Sequence, residues 1–324
     1  MTGESSTSPP LDATVLIATY NRASILGEAI TAVLAQQTPP DFRWELLIVD
    51  NNSRDETRTV VERYARESDV PVRYLFEGRQ GKSHALNTGL EQARGAIVAF
   101  TDDDVLVPPD WIATAQRVLG RWNADAAGGR ILPRWELPPP SWLLRNAQLH
   151  GSLALMEVER PQVLHLPLKG PASIWGANMA FRRSVFEKVG LFDVQLGPSG
   201  TRPVNFEDVD LVERTLRSGG RAVYDPELVV NHRIPAERMR MAYFRRWALV
   251  SGRAARLRST PATGRFPVLG RPAWLYLRAG ATLVKWLIAM SLRRPIALDL
   301  ELDFFKLAGL FWWYREGERR SAKG

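Results

Sequence analysis

Three consecutive aspartates, Asp102, Asp103 and Asp104, follow a short apolar segment of the chain. Adjacent carboxylates repel one another, and proteins tolerate such clusters mainly where a cation neutralises them. Alternate side chains of an extended turn point in the same direction, so Asp102 and Asp104 could both face a Mg²⁺ or Mn²⁺ ion that also holds a diphosphate. An acidic cap on the helix that begins near Pro109 is the other explanation. The triplet alone leaves both interpretations open.

Other carboxylates and one histidine are further candidates for chemistry. Glu207 and Asp208 open a predicted helix, where they either stabilise the helix dipole or supply the general base for an acceptor hydroxyl. Asp50 ends an apolar segment, where it either caps a turn or accepts hydrogen bonds from a nucleotide base or ribose. His232 follows a strongly apolar segment and is either a structural histidine or a third protein ligand of the metal.

The composition excludes several classes of site. The chain has no cysteine, so disulfides, zinc–thiolate sites, iron–sulfur clusters and cysteine nucleophiles are excluded, and a metal must be held by oxygen or imidazole. The segment 78–83 is similar to the phosphate-binding loop of nucleotide hydrolases, but Phe76 stands where that loop requires a glycine. No Gly-x-Gly-x-x-Gly follows a predicted strand, which argues against dinucleotide binding.

Alternating apolar and amphipathic segments predict the elements that position these residues. Strands are predicted over 15–19, 45–50, 72–76 and 96–100, with helical patterns between them. Such alternation predicts an α/β fold whose parallel sheet has helices on both faces. Ligands bind beyond the carboxyl ends of the strands in these sheets, and Thr19, Asp50 and Asp102 lie at those ends. Helices are also predicted over 109–122, 184–189 and 208–217, regular structure over 174–181 and a strand over 222–230; a Pro-rich segment over 133–171 has few regular signals.

Charge divides the chain into an acidic part and a basic part. Residues 233–324 contain nineteen Lys and Arg against six Asp and Glu, a net charge of +13, which leaves −5 for residues 1–232 of a chain with net charge +8. The candidate chemistry therefore lies in the acidic part. This distribution argues against nucleic acid as a partner, because the positive charge is separated from the candidate site.

The basic part contains two amphipathic helical patterns. In the first, Leu277, Val284 and Ile288 share one helical face, while Arg278 and Lys285 share another. Charged residues keep every apolar run below the roughly 20 residues that span a bilayer. Four tryptophans accompany the basic residues, a composition typical of helices that lie in the lipid headgroup region. These tryptophans are Trp274, Trp286, Trp312 and Trp313.

Six motifs together resemble the family 2 glycosyltransferases, over about residues 12–235. Each motif alone is weak evidence, whereas six in the same order are specific. The motifs are Ala18–Arg22, Ile48–Asp55, Gly81–Gly89, Phe100–Asp104, Gly190–Asp193 and Phe206–Asp210. The resemblance implies an α/β fold of the GT-A type, with a Rossmann-like, mixed and mostly parallel sheet flanked by helices, to which this chain adds a C-terminal amphipathic helical extension.

The resemblance also implies roles for residues of the motifs. Asp208 would be the catalytic base, with Glu207 beside it. Asp104, with Asp102 and possible help from His232, would bind Mg²⁺ or Mn²⁺. The nucleotide part of the donor would contact the following residues: Thr19, Tyr20, Asn21, Arg22, Asp50, Asn52, Lys82, Asn87, Asp102 and Asp103.

The implied reaction is inverting transfer of a sugar from a nucleoside-diphosphate sugar to a hydroxyl of a saccharide or lipid-linked saccharide, in polysaccharide biosynthesis. Processive synthases carry Gln-x-x-Arg-Trp, whereas this chain has Tyr243 in place of the Gln, so transfer of one sugar per encounter is expected. Two alternatives are a nucleotidyltransferase that makes an activated sugar and a non-catalytic sugar-nucleotide-binding protein.

The expected organisation has three parts. Residues 1–11 are a disordered lead-in, 12–235 the GT-A domain and 236–324 a basic helical extension at an anionic membrane surface. The N-terminal residues are polar and lack the basic and apolar regions of a secretory signal. The expected location is therefore cytoplasmic, peripheral at the inner face of the cell membrane. A helical cap on the catalytic domain is the alternative role of the extension.

Overall fold

The computed structural model describes residues 11–199, 202–203, 206–258, 267–268, 271–294 and 296–321. The chain divides into two compact units. Unit 1 comprises Met1–Glu136, Leu153–Thr201 and Phe206–Ile234, and unit 2 comprises Leu137–Ser152, Arg202–Asn205 and Pro235–Gly324. Of the expected disordered lead-in, residues 1–10 lie outside the described residues, and Leu11 begins the first strand.

Short strands and helices alternate along the first hundred residues, as the apolar pattern predicts, and further strands and helices follow them. The strands are β1 (Leu11–Thr19), β2 (Trp44–Asp50), β3 (Val72–Phe76), β4 (Gly95–Asp102), β5 (Val105–Leu106), β6 (Ala126–Trp135), β7 (Gln162–Val163), β8 (Met179–Arg182), β9 (Pro198–Ser199), β10 (Arg202–Pro203), β11 (Ala222–Ile234), β12 (Pro267–Val268) and β13 (Arg271–Pro272). The α-helices are α1 (Ala23–Leu34), α2 (Thr57–Glu67), α3 (Lys82–Gln92), α4 (Trp111–Arg121), α5 (Ser141–Leu144), α6 (Ser184–Val189), α7 (Glu207–Arg217), α8 (Met241–Arg258), α9 (Ala273–Ser291) and α10 (Ala297–Ser321), and 3₁₀ helices cover Ala147–Leu153 and Ala236–Met239.

Unit 1 is built on one mixed sheet. Within the described residues the sheet has nine strands, in the order β3-β2-β1-β4-β8-β6-β11-β5, and β7 also pairs with β11. Neighbouring strands from β3 to β4 are parallel, as are β6 and β11, while β8 runs antiparallel between β4 and β6. The predicted mostly parallel α/β fold is confirmed.

The central strands are buried along most of their length. Every residue of β2 is buried, and Leu16 of β1 and Ile48 of β2 are fully inaccessible to solvent. When helices pack on both faces of a sheet, every side chain of a central strand is buried. The sequence of such a strand is therefore a continuous apolar run rather than an alternating pattern. This explains why the apolar runs alone located β1, β2 and β4 to within a few residues.

Strand β6 was not predicted from the sequence. It begins with Ala126-Ala-Gly-Gly129, which lacks the bulky apolar residues typical of a strand. The structure explains the small residues by close backbone contact. A Cβ on Gly129 would lie 1.9 Å from the carbonyl oxygen of Leu228 in β11, so only glycine fits there.

A fully buried asparagine ties the middle of the sheet to α4. Asn178 lies just before β8, where its Oδ1 accepts a hydrogen bond of 2.9 Å from Nε1 of Trp111 in α4. Its Nδ2 donates to the carbonyl oxygens of Arg130 in β6 and Leu228 in β11, each at 2.9 Å. A buried amide with its hydrogen bonds satisfied fixes the relative position of the elements that it joins.

Unit 2 contains the three long C-terminal helices, of which α9 and α10 correspond to the predicted amphipathic patterns. Helices α8 and α10 lie close together, since a Cβ on Gly252 would be 1.9 Å from the carbonyl oxygen of Lys306. The rings of Trp286 in α9 and Phe304 in α10 stack with centroids 5.9 Å apart. None of the helices within the described residues is both long and apolar enough to cross a bilayer.

Two glycine substitutions test how closely the strands of the sheet approach. Gly129→Ala should lower the free energy of unfolding by about 3 kcal/mol, because the added methyl group forces β6 away from β11. Gly120→Ala is the matched control: it lies in α4 with nothing within 4 Å of the added methyl, and it should raise stability by about 0.5–1 kcal/mol. Urea denaturation measures both, and equal stability of the two variants would contradict the close approach at Gly129.

Candidate active site

The ends of adjacent parallel strands bring the predicted nucleotide residues together. Thr19 is paired in register with Asp50, and Ala18 is paired with Asp102 on the other side of β1. The carboxyl ends of β2, β1 and β4 therefore lie side by side. Residues 31 and 84 positions apart in sequence meet here because the strands are parallel and end at the same edge of the sheet.

The loops after β1 and β2 hold each other in place. Asn21 and Asn52 have left-handed backbones, with φ of 51° and 66°, which asparagine adopts more readily than most residues. Oδ1 of Asn21 accepts a hydrogen bond of 2.7 Å from the backbone N–H of Arg54, and its own N–H donates to Oγ of Ser53 at 2.8 Å. Tyr20, between β1 and this contact, is exposed.

Asp50 is buried at the centre of these loops. Its Oδ1 accepts a hydrogen bond of 2.8 Å from the backbone N–H of Ser53, and its Oδ2 accepts one of 2.8 Å from the hydroxyl of Tyr74. These are turn and inter-strand contacts, which correspond to the structural role considered for this residue. Each carboxylate oxygen has a second lone pair, so these bonds leave acceptor capacity for a nucleotide base.

The three aspartates of the triplet have different partners. Lys82 at the start of α3 donates a hydrogen bond of 2.5 Å to Oδ1 of Asp102. Nη1 of Arg22 lies 3.3 Å from Oδ1 of Asp103 and 2.6 Å from Oδ2 of Asp104. A tight turn joins β4 to β5, so alternate residues do not point the same way as on an extended chain. The neighbours Asp103 and Asp104, rather than Asp102 and Asp104, share one cation.

The pKa of Asp103 is raised well above the ordinary value of an aspartate. Burial raises its pKa and the adjacent Asp104 raises it further, while Arg22 and the hydroxyl of Thr19 lower it, with a resulting pKa of about 7. The Oγ1 of Thr19 donates to its Oδ2 at 2.8 Å. Burial, with a contribution from Asp104, therefore outweighs the stabilisation of the Asp103 carboxylate by Arg22 and Thr19.

Asp104 and His232 fit a divalent metal, although the described residues contain no group of three or more acidic or histidine side chains arranged to hold one. Pairing of β5 with β11 places His232 next to Val105, and its Nε2 lies 3.4 Å from Oδ1 of Asp104. Nδ1 of the histidine lies 2.9 Å from the carbonyl oxygen of Leu153. A carbonyl only accepts, so Nδ1 carries a proton, and Nε2 is the ring nitrogen that faces the carboxylate of Asp104.

An imidazole nitrogen and a carboxylate oxygen are both ligand types that divalent cations accept. Metal-bound histidines commonly donate their other N–H to a backbone carbonyl, as His232 does. Mg²⁺ is usually held by one or two carboxylates with substrate phosphates completing its octahedron. Two protein ligands, Asp104 and His232, would therefore leave positions for a diphosphate. Asp102, the other predicted metal ligand, is instead paired with Lys82 in this structure.

The predicted catalytic carboxylates open helix α7. Asp208 accepts hydrogen bonds from the backbone N–H of Gly176 to Oδ2, at 2.9 Å, and from that of Val209 to Oδ1, at 2.7 Å. Phe206, the residue before the helix, has a left-handed backbone with φ of 89°. A bulky residue in that region costs roughly 1–3 kcal/mol, and such strain is concentrated at functional sites.

Lys82 lies between the nucleotide end of the site and these carboxylates. A Cβ on Gly176 would be 3.4 Å from Nζ of Lys82 and 3.9 Å from Oδ2 of Asp208, so this glycine lines the space between them. Burial lowers the pKa of Lys82, but the attraction of Asp102, Glu207 and Asp208 outweighs it and raises the pKa above its usual value. Lys82 is therefore charged.

Burial is also the main cause of the raised pKa values of the two carboxylates. The pKa of Glu207 rises to about 8, since burial and the charge of Asp208 together exceed the effect of Lys82. The pKa of Asp208 is raised by burial and lowered in part by the N–H groups of Gly176 and Val209. A raised pKa makes the ionised form of a carboxylate a stronger base, which suits the abstraction of a proton from a hydroxyl.

Two residues of the site, Gly176 and Asn178, were not predicted from the sequence, and a third, Asn87, makes contacts that were not predicted. Gly176 and Asn178 lie in Trp175-Gly-Ala-Asn178, and a polar asparagine within an apolar segment was the available signal. The amide of Asn87, predicted to lie near the nucleoside, exchanges hydrogen bonds of 2.9 Å with the backbone N–H and carbonyl of Phe192. Its nucleoside contact stays a prediction, and in this structure Asn87 anchors the loop after α6.

The fold is that of GT-A transferases. The structure is similar over 95% of this chain and 88% of the other to the mannosyltransferase PcManGT from Pyrobaculum calidifontis in complex with GDP-Man and Mn²⁺, with a TM-score of 0.62 and 23% identity. The family model "Glycosyl transferase family 2" matches residues 14–190. The chain belongs to this family and is a glycosyltransferase.

Relatives of known name agree with this membership. The glucosyl-dolichyl phosphate glucuronosyltransferase of Haloferax volcanii is 29% identical over 231 residues, which cover 68% of each protein. The succinoglycan biosynthesis protein ExoM of Rhizobium meliloti is 26% identical over 268 residues, covering 82% of this chain and 79% of the other. Family membership decides between the three functions that the residues left open, in favour of sugar transfer.

The raised pKa of Glu207 predicts a pH-dependent loss of stability. Its value of about 8, against an ordinary 4.5, means that the folded protein keeps a proton that the unfolded chain releases. The free energy of unfolding should therefore fall as the pH rises from about 5 to 8 in EDTA. In Glu207→Gln this fall should be smaller by about 1–4 kcal/mol, measured by urea denaturation at each pH.

Glu77→Gln provides a control with the opposite sign. Hydrogen bonds from Arg79 and Thr88 outweigh burial and lower the pKa of Glu77 to about 2 from 4.5. Its stabilising contribution is therefore fully present above pH 4.5 and is lost only as the pH falls towards 2. The variant should be less stable than the wild type by a constant amount from pH 5 to 8. A wild-type slope in Glu207→Gln would contradict the raised pKa.

Proposed function

We propose that this enzyme transfers a single sugar, with inversion, from a nucleoside-diphosphate sugar to a hydroxyl of a saccharide or lipid-linked saccharide. The observation that carries the proposal is the position of Asp208, held by two backbone N–H groups beside Lys82 and Asp102. The side chain with acid–base capacity thus adjoins the strand ends at which nucleotides bind in sheets of this kind. The names of the relatives, which include a dolichyl phosphate sugar and succinoglycan, support this acceptor class.

The residues divide into those for the donor and those for the acceptor. Thr19, Asp50 and Asn52, at the ends of β1 and β2, hold the nucleoside. Asp104 and His232 would hold Mg²⁺ or Mn²⁺, and the ion would supply positive charge to offset the negative charge that develops on the departing nucleoside diphosphate. The presence of Mn²⁺ with GDP-Man in the similar mannosyltransferase supports a divalent ion here.

Asp208 acts on the acceptor. Its Oδ2 is fixed by the N–H of Gly176 and removes the proton of the attacking hydroxyl as that oxygen bonds to the anomeric carbon. The bond from this carbon to the diphosphate breaks on the opposite face, so a single displacement inverts the configuration. Lys82 keeps Asp102 and Asp208 from repelling each other and remains protonated throughout.

Replacement of the base tests the assignment. Asp208→Asn should lower kcat by about 10²–10⁴-fold, since the amide keeps the shape of the side chain but cannot accept the proton. Donor binding should survive, measured as the rise in Tm with Mn²⁺ and a panel of nucleotide sugars; a ligand at a hundredfold its Kd adds about 2.7 kcal/mol.

Asp210→Asn is the matched control on the same helix. Asp210 forms an i,i+4 ion pair of 2.7 Å with Arg214, and neither residue contacts the proposed base, so kcat should remain within about threefold of wild type. Equal activity of the Asp208 and Asp210 variants would refute the role of Asp208 as the base.

Unit 2 supports a second part of the proposal, attachment to an anionic membrane surface. On α9 the side chains of Leu277, Val284 and Ile288 are 74%, 56% and 53% exposed, and their spacing places them on one helical face. Arg278 and Lys285 follow the apolar residues by one position and are exposed at the border of this face. An exposed apolar row with basic residues at its edge fits the interface between lipid headgroups and acyl chains.

A charge placed in the exposed apolar row tests membrane attachment. Val284→Asp should lower the fraction that sediments with vesicles of phosphatidylcholine and phosphatidylglycerol about tenfold, because a carboxylate enters the interface and also repels the anionic lipid. Val194→Asp, at a valine of unit 1 with a similar exposure of 50% against 56%, is the control and should sediment like wild type. Sedimentation of wild type that is insensitive to salt and to Val284→Asp would contradict this attachment.

A further inference from the structure

We propose that Arg22 is an exchangeable counter-cation for the metal position: it neutralises Asp103 and Asp104 before a divalent ion binds, and it gives way to the ion when the donor enters. The inference rests on the proposed use of a metal at Asp104 and His232. It adds a role for Arg22 beyond a general contact with the nucleotide, because it makes the arginine a competitor of the metal.

The contacts of Arg22 place its positive charge beside Asp104, where the metal ion would bind. Nη1 lies 2.6 Å from Oδ2 of Asp104, while the other oxygen of the same carboxylate lies 3.4 Å from Nε2 of His232. A metal held between Asp104 and His232 would thus lie close to the guanidinium. Like charges at such distances repel strongly where water is largely excluded, so the two cations cannot both keep their positions.

The burial of the partners shows which one is able to move. The side chains of Asp103 and Asp104 are 10% and 8% exposed, and Thr19 also holds Asp103. The side chain of Arg22 is 36% exposed, and its residue lies immediately before α1. The aspartates are fixed from several sides, whereas the guanidinium reaches the site from solvent and can withdraw towards it.

Once displaced, the guanidinium can bind the diphosphate of the nucleotide sugar. A planar guanidinium binds phosphate oxygens in two parallel hydrogen bonds, and the diphosphate of the donor would be held by the same metal. Metal and donor should therefore bind with positive coupling, each improving the affinity for the other by the same factor. The ion without a donor should bind weakly, because it must break the Arg22 ion pairs with no compensation.

Binding of Mn²⁺ alone, measured by titration with detection of free ion by electron paramagnetic resonance, tests this role without any turnover. Arg22→Met removes the competing charge and should bind Mn²⁺ about tenfold more tightly than wild type, as expected for loss of a charge-assisted hydrogen bond. Arg22→Lys retains the charge and should stay nearer to wild type. Adding Asp104→Asn to Arg22→Met should remove the gain.

Arg73→Met is the matched control. Arg73 forms a partly buried ion pair of 2.9 Å with Glu45, near the amino ends of β2 and β3 and so at the opposite edge of the sheet. Both methionine variants should have a lower Tm in EDTA, but Mn²⁺ should restore the Tm of the Arg22 variant only. Unchanged or weaker Mn²⁺ binding by Arg22→Met would overturn the counter-cation role, whereas failure of the proposed transferase chemistry would appear separately, as undiminished turnover of Asp208→Asn.

Discussion

The burial of clustered carboxylates at one edge of a sheet is the constraint on which the rest of this structure depends. Asp102 ends β4, Asp103 and Asp104 follow it, and Glu207 and Asp208 open α7. Two cationic side chains, Arg22 and Lys82, contact or attract them, yet Asp103 and Glu207 still have pKa values raised to about 7 and about 8. Burial thus disfavours the ionised forms of these carboxylates, a cost that a divalent ion or a proton offsets. A site of this kind is ready to bind a cation and to accept a proton, which are the two requirements of metal-assisted transfer to a hydroxyl.

The fold allows this concentration of charge because it separates stability from function. Buried apolar strands such as β1 and β2 supply the core, and their carboxyl ends meet at one edge, where polar loops replace apolar side chains. The loops are then fixed by local hydrogen bonds: left-handed Asn21 binds the backbone of Arg54, and Asp50 binds that of Ser53. Asn178 anchors the segment that carries Gly176, so the N–H that orients Asp208 is held by a fully bonded buried amide. Each hydrogen bond is local, but together these bonds hold the side chains of the site in place before a substrate binds.

The sequence predicted the elements whose signal is local and missed those that depend on distant contacts. Apolar runs that end in polar residues located β1, β2 and β4, and with them Thr19, Asp50 and Asp102. Strand β6 has no such run, because glycine at position 129 is required by the carbonyl of Leu228, almost a hundred residues away in sequence. The expected pairing of Asp102 with Asp104 assumed an extended chain, whereas a turn into β5 gives Asp104 the partners Arg22 and His232. Gly176 was missed because its role is a backbone N–H, which residue type does not reveal.

The two cations of the site have different surroundings, and this difference assigns them different functions. Lys82 is attracted by Asp102, Glu207 and Asp208, and the side chains of Lys82 and Asp102 are only 22% and 25% exposed. Withdrawal of Lys82 would leave three carboxylates facing one another, so its charge must stay in place while a substrate binds. Arg22 reaches buried aspartates from a more exposed position. In the proposed mechanism, the fixed cation Lys82 favours the ionised form of the base Asp208, and the replaceable cation Arg22 links ion binding to donor binding.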